Sequence, residues 1–213
     1  MRDTGGACRA GHNMIKAVIF DLGRVIVPFD FSIGYRKIEP LCGIPAGEIP
    51  SRIAETGLAI GLESGEIEPR DFVTALGKAL GFVLSLEEFS EIWCSVFMKP
   101  TLIPESLVEA VSKTHRLVLL SNTNSIHFDM LRETYPILRH FHQYVLSHEV
   151  GAMKPSPKIY QAAIAAAGCA PEECFFTDDI AEYVAGARKQ GIDAVQFESG
   201  AQIKLELRAR GVI

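Results

Sequence analysis

Residues 16–23 read Lys-Ala-Val-Ile-Phe-Asp-Leu-Gly. The apolar run inside this stretch is too short for a helix and suits a strand buried on both faces. It ends on a carboxylate, Asp21, followed by Leu22 and Gly23. Similar runs recur at Leu117–Leu120, Tyr144–Leu146, Cys174–Phe176 and Ala194–Phe197. Between them, Leu107 and Val111, then Tyr160, Ala163, Ile164 and Ala167, keep three-to-four spacing, and 181–190 is rich in helix formers. Strand alternating with helix predicts right-handed β-α-β units and a parallel sheet.

The stretch from 31 to 100 breaks this rhythm. It carries no buried strand pattern, only helical periodicity punctuated by Gly and Pro. Leu86, Phe89, Trp93, Val96 and Phe97 form one apolar stripe, and Phe72, Leu76 and Leu80 another. Core packing within a small helical bundle accounts for both. The polar segment Glu63-Ser-Gly-Glu-Ile-Glu-Pro-Arg70 separates two of the helices. An all-helical insertion between the first and second strands suits a lid. The expected fold class is therefore α/β: a doubly wound, mostly parallel, Rossmann-like sheet at 14–30 and 101–213, with a helical cap at 31–100. Residues 1–13 are polar, Gly-rich and aperiodic, and are expected to form a flexible tail. Met14 is a candidate start.

Composition narrows the function classes. The chain has 213 residues, 48% hydrophobic and 22% charged, with a net charge of −5. These values are those of a globular protein, and the acidic balance argues against a nucleic-acid partner. No apolar run is long enough to span a bilayer, and the first residues lack the apolar core of a secretory signal. The five cysteines are odd in number, scattered and without a C-x-x-C pair. That speaks against a disulfide framework or a zinc site and points to the cytoplasm. His140 and His142 have the spacing of strand metal ligands, but no suitable third ligand lies near.

In open parallel sheets, ligands bind beyond the carboxyl ends of the strands. The first strand delivers Asp21 there, the second Ser121-Asn122-Thr123-Asn124, the loop after the third Gly151-Ala-Met-Lys154-Pro155, and the fourth Thr177-Asp178-Asp179. Each alone has an ordinary structural explanation, such as a helix N-cap or a solvated charge. Together they describe a site. Carboxylates gathered at one edge repel each other and call for a hard divalent cation such as Mg²⁺, which works with a substrate phosphate. A hydroxyl, backbone N–H groups and an ammonium complete a cradle for phosphoryl oxygens. An Asp beside the metal can attack phosphorus and form an aspartyl-phosphate that water later hydrolyses.

The four pieces, F-D-L-G at 20–23, L-S-N-T-N at 120–124, G-x-x-K-P at 151–155 and F-x-D-D at 176–179, resemble the four motifs of the haloacid dehalogenase-like (HAD) hydrolases. The insertion resembles that superfamily's C1 cap. The wording Phe20-Asp-Leu-Gly-Arg-Val-Ile-Val, Ser64-Gly-Glu-Ile and Met153-Lys-Pro is similar to the bacterial α-D-glucose-1-phosphate phosphatase branch. The phosphatase domain of soluble epoxide hydrolases is a more distant likeness. The resemblance implies a Mg²⁺-dependent phosphatase acting on a small phosphorylated metabolite, with a sugar 1-phosphate favoured. It implies Asp21 as nucleophile and metal ligand, the Gly23 carbonyl as a second ligand, Asp179 as the main further ligand, and Asp178 ligating directly or through water. Ser121 and the Asn122 amide would hold phosphoryl oxygens, and Lys154 would balance charge.

Three positions depart from that pattern. The usual second Asp, a general acid and base, is replaced by Gly23, which transfers no proton. Arg24 stands where the branch carries a small amide. Tyr183 stands where Asn or Asp usually continues the fourth motif. Gly23 and Tyr183 motivate one alternative, a catalytically weak binding or regulatory protein. A phosphomutase would want the missing acid, and Asp178-Asp179 with Gly23 argue against a metal-free haloacid dehalogenase.

Overall fold

The computed structural model describes residues 14–213. The expected tail at 1–13 lies outside them. Five strands, β1 (Ala17–Phe20), β2 (Arg116–Ser121), β3 (Gln143–Leu146), β4 (Cys174–Asp178) and β5 (Asp193–Gln196), form one parallel sheet in the order β3-β2-β1-β4-β5. Every strand matches an apolar run read from the sequence.

Alternation along the strands splits their side chains between two layers. Val18, Phe20, Leu117, Leu119 and Phe175 enter one apolar cluster, whereas Ala17, Ile19, Val118, Leu120 and Phe176 enter another. Helices numbered in chain order cover both faces. Before the second strand come α1 (Phe31–Cys42), α2 (Ile49–Thr56), α3 (Leu58–Glu63), α4 (Pro69–Leu80), α5 (Leu86–Cys94) and α6 (Glu105–Ser112). After it come α7 (Ser125–Thr134), α8 (Ser147–Val150), α9 (Pro157–Ala167), α10 (Ala181–Lys189) and α11 (Gly200–Ala209). The first layer is covered by α6, α7 and α11, and the second by α9 and α10. The sheet is doubly wound. Its order reverses beside β1, so β1 and β4 end side by side at the crevice where such sheets bind ligands.

Helices α1 to α5 bury a third cluster of their own, which includes Ile38, Phe72, Leu76, Phe89 and Trp93. The stripe read over Leu86–Phe97 is helical only as far as Cys94. Phe97 leaves the helix and forms an antiparallel bridge with Phe29. The two connections to the sheet thus run side by side: Asp30 N–H donates to the Val96 carbonyl at 2.9 Å, and Met98 N–H to that of Pro28 at 2.9 Å. No helix among the described residues is long and apolar enough to cross a membrane.

Candidate active site

Asp21 extends β1 by one residue, and its N–H donates to the Thr177 carbonyl of β4 at 3.0 Å. Its carboxyl side chain is buried. The chain then turns sharply, with the N–H groups of Ile26 and Val27 both donating to the Leu22 carbonyl at 2.9 Å. The left-handed residue in this turn is Arg24, at φ 56°, and not Gly23. Gly23 answers to space instead. A Cβ there would lie 2.8 Å from Phe29 Cε1.

Lys154 organises the centre. Its ammonium donates to Asp21 Oδ1 at 2.6 Å, to Asp178 Oδ2 at 2.5 Å and to the Leu120 carbonyl at 3.3 Å. All three side chains are buried. Asn122 holds this lysine in place, because its side-chain carbonyl accepts from Lys154 N–H at 2.8 Å and its NH₂ donates to the Lys154 carbonyl at 3.1 Å. The second and third motifs are thereby tied together. Asp178 is committed on both oxygens, since Oδ1 accepts from Ile180 N–H at 2.9 Å.

Asp21, Asp178 and Asp179 each bring a carboxylate oxygen within 4.8 Å of the others. Three carboxylates against one ammonium leave an excess of negative charge in a mostly buried place. Burial dominates the pKa values here, and the crowding of carboxylates adds to it. Burial, reinforced by the charge of Asp178, pushes Asp21 up to about 7 against the pull of Lys154. Burial and then Asp178 also raise Asp179. Burial works to lower Lys154, but the two flanking carboxylates outweigh it and hold the ammonium protonated. An all-oxygen donor set with surplus negative charge fits a hard divalent cation.

Tyr183 lies over Lys154 with its ring centre 5.1 Å from the ammonium, and its hydroxyl accepts from Asn122 Nδ2 at 3.4 Å. It shields the charge centre on the side where a shorter residue was expected. Helix α10, which carries it, is fixed by the Tyr160 hydroxyl donating to the Tyr183 carbonyl at 2.7 Å.

A cavity of about 120 Å³ opens beside Gly23, Ser121 and Asn122 and is walled by Phe29, Phe31 and Phe97. Glu63, the last residue of α3, also lines it. Under the aromatic wall sits His127, whose Nε2 lies 3.1 Å from the Trp93 carbonyl and whose ring stacks on Trp93. Burial pulls its pKa down to about 4, so it is neutral.

The sequence-derived residues Asp21, Gly23, Ser121, Asn122, Lys154, Asp178 and Asp179 therefore converge on one edge of the sheet. His140 and His142 do not join them. His140 lies against Glu105, and His142 accepts from Leu117 N–H at 2.9 Å. Sequence reasoning missed Glu63, the three phenylalanines and His127, because only tertiary packing brings them to the cavity. A weak signal existed for His127, three residues after Asn124, whose side chain caps α7.

A family model described as haloacid dehalogenase-like hydrolase matches residues 15–191. D-ribitol-5-phosphate phosphatase of Bacteroides thetaiotaomicron is 28% identical over 200 residues, spanning 91% of this chain and 97% of that protein. Phosphoserine phosphatase of Thermus thermophilus is 32% identical over 181 residues, 81% of this chain and 68% of that protein. Among solved structures, a HAD family enzyme from Bacteroides thetaiotaomicron, in complex with magnesium and inorganic phosphate, superposes with a TM-score of 0.78. It is 26% identical, over 87% of this chain and 96% of that one.

Proposed function

The chain belongs to the haloacid dehalogenase-like hydrolases, and from that premise we propose that it is a Mg²⁺-dependent phosphatase that cleaves a small phosphorylated metabolite through an aspartyl-phosphate on Asp21. The observation that carries this reading is Lys154 held between Asp21 and Asp178, with Asp179 in reach of both. Asp21, Asp179 and the Gly23 carbonyl would hold the metal, with Asp178 ligating directly or through water, and the metal would supply charge neutralisation for the phosphate. Asp179 is the strongest candidate for a direct ligand, because Asp178 already spends both oxygens on Lys154 and Ile180.

The rest falls to the protein's own groups. Asp21 Oδ attacks phosphorus, the bond from phosphorus to the leaving oxygen breaks, and the alkoxide departs and takes its proton from water. The Ser121 hydroxyl and the Asn122 N–H hold phosphoryl oxygens, while Lys154 offsets charge as negative oxygen gathers around phosphorus. Water then attacks the aspartyl-phosphate, releases inorganic phosphate and restores the Asp21 carboxylate.

Gly23 shapes the choice of substrate. With no carboxylate there, a leaving alkoxide receives no proton from the usual position, and general acid catalysis contributes about 10²–10⁴-fold where it operates. Substrates whose leaving oxygen is a weak base are favoured. The anomeric oxygen of a sugar is one, so a sugar 1-phosphate is preferred over a sugar 6-phosphate. The names of the two relatives, for a polyol phosphate and for phosphoserine, support a substrate of small-metabolite size.

The test is release of phosphate from p-nitrophenyl phosphate with Mg²⁺ and with excess chelator. Turnover that needs the metal and falls below a few per cent in Asp21→Asn supports the reading. Undiminished rates in chelator, or an active Asp21→Asn, would refute it.

A further inference from the structure

Glu63 is the one carboxylate at the cavity that the reaction described above leaves without a task. It stands at the end of α3, where the Glu66 and Ile67 N–H groups fold back onto the Gly61 carbonyl at 2.8 and 3.1 Å. The next turn is seated on the sheet half of the molecule: Gly65 is left-handed at φ 74°, and a Cβ there would lie 2.1 Å from the His148 carbonyl oxygen. The backbone that carries Glu63 is thus held at both ends. The carboxyl itself has no hydrogen bond and no opposite charge among the described residues, and burial alone raises its pKa. A half-buried carboxyl left unpaired costs stability unless a ligand completes it.

The surroundings say what kind of ligand. Phe29, Phe31 and Phe97 offer flat apolar faces on the same cavity. A cationic group is disfavoured, because the Arg24 guanidinium already stands 4.9 Å over the Phe29 ring. An anionic group is disfavoured too, because Glu63 is the charged side chain lining the cavity and His127 there is neutral. Apolar ring faces beside a hydrogen-bond-accepting carboxyl suit a neutral molecule with hydroxyls on one side and C–H groups on the other.

We propose that Glu63 binds the alcohol half of the substrate by accepting hydrogen bonds from its hydroxyl groups, with Phe31 and Phe97 covering the C–H face, so that the cavity selects uncharged polyhydroxylated leaving groups. The inference rests on the phosphatase reading and deepens it. Glu63 acts in recognition; bond breaking stays with Asp21.

The experiment measures kcat and KM of wild type, Glu63→Ala and Glu63→Gln in Mg²⁺ on glucose 1-phosphate, glucose 6-phosphate, ethyl phosphate and p-nitrophenyl phosphate. A hydrogen bond to a charged group corresponds to roughly ten- to hundredfold in binding. Glu63→Ala is expected to lower kcat/KM on both glucose phosphates by that factor, through KM. The rates on ethyl and p-nitrophenyl phosphate should stay within about twofold, and Glu63→Gln should recover part of the loss. A parallel loss on all four substrates means a structural role and overturns the proposal, as does no loss on any. A fall in kcat that grows with leaving-group basicity makes Glu63 a proton donor and also overturns it. If wild type fails to cleave p-nitrophenyl phosphate at all, the phosphatase reading itself falls.

Discussion

Asp178 and Asp179 are neighbours in sequence and face different work. Asp178 is fully buried and pins Lys154, whereas Asp179 is half-buried with a carboxylate free for a ligand. Asp178→Ala leaves Lys154 paired with Asp21 but strips the part-buried Ile180 N–H of its acceptor, so it should lower stability by about 1–3 kcal/mol. Asp179→Ala should leave the unfolding temperature nearly unchanged and raise the Mg²⁺ concentration for half-maximal activity more than tenfold. Thermal melts and Mg²⁺ titrations of both variants check this pair of outcomes. Gly23 gives a second residue-scale test. Any side chain there must displace the Phe29 ring, and overpacking of that kind costs about 1–3 kcal/mol. Gly23→Asp should be destabilised by that amount in denaturant unfolding. If its carboxyl reaches the bridging oxygen, it should also flatten the steep dependence of rate on leaving-group pKa expected of wild type across a series of aryl phosphates. A wild-type profile already flat would mean that a proton arrives from elsewhere. The positive φ of this turn falls on Arg24, and Gly23 is kept small by the Phe29 ring.

At the scale of elements, β1, β2 and β4 were legible because burial on both faces writes a continuous apolar run, whereas the edge strands β3 and β5 are partly exposed and carry shorter ones. The helices of the insertion were legible as apolar stripes, but not their placement. Which inner face meets the sheet depends on contacts such as Gly65 on His148, where the obstacle is a backbone carbonyl with no side-chain signature. The same limit hid Glu63, which in sequence is one acid among several in a polar stretch. We propose that the insertion moves as a lid about hinges near residues 28–31 and 99–104. Lids exclude water and complete a site on closing. Gly65→Ala strains the left-handed backbone at φ 74° and places a methyl against the His148 carbonyl where the two halves meet. It should thus lower kcat/KM by tenfold or more while the insertion's own helices stay folded, as read by steady-state kinetics and far-ultraviolet circular dichroism. Unchanged kinetics would show that this contact plays no part in turnover.

Across the whole molecule, one buried imidazole joins the two halves. His127 belongs to α7 of the sheet half, yet it stacks on Trp93 and reaches the Trp93 carbonyl of α5. Burial holds its pKa near 4, against 6.5 for an unperturbed histidine. Between those values the unfolded chain takes up a proton that the folded chain refuses. Stability therefore falls as the pH drops through that window, by up to about 3 kcal/mol. Unfolding midpoints from pH 7 to pH 4 should decline more steeply in wild type than in His127→Gln, and equal slopes would remove His127 as the cause. The bridge between Phe29 and Phe97 has a different kind of consequence. The insertion leaves the sheet and returns to it at one address, so the sheet sees it as a single closed excursion. Recombination can exchange such a unit, or a short turn can replace it, without rethreading any strand. Recognition and chemistry are then separately heritable, and one phosphoryl-transfer centre can be fitted to new alcohols by trading what lies between residues 29 and 97.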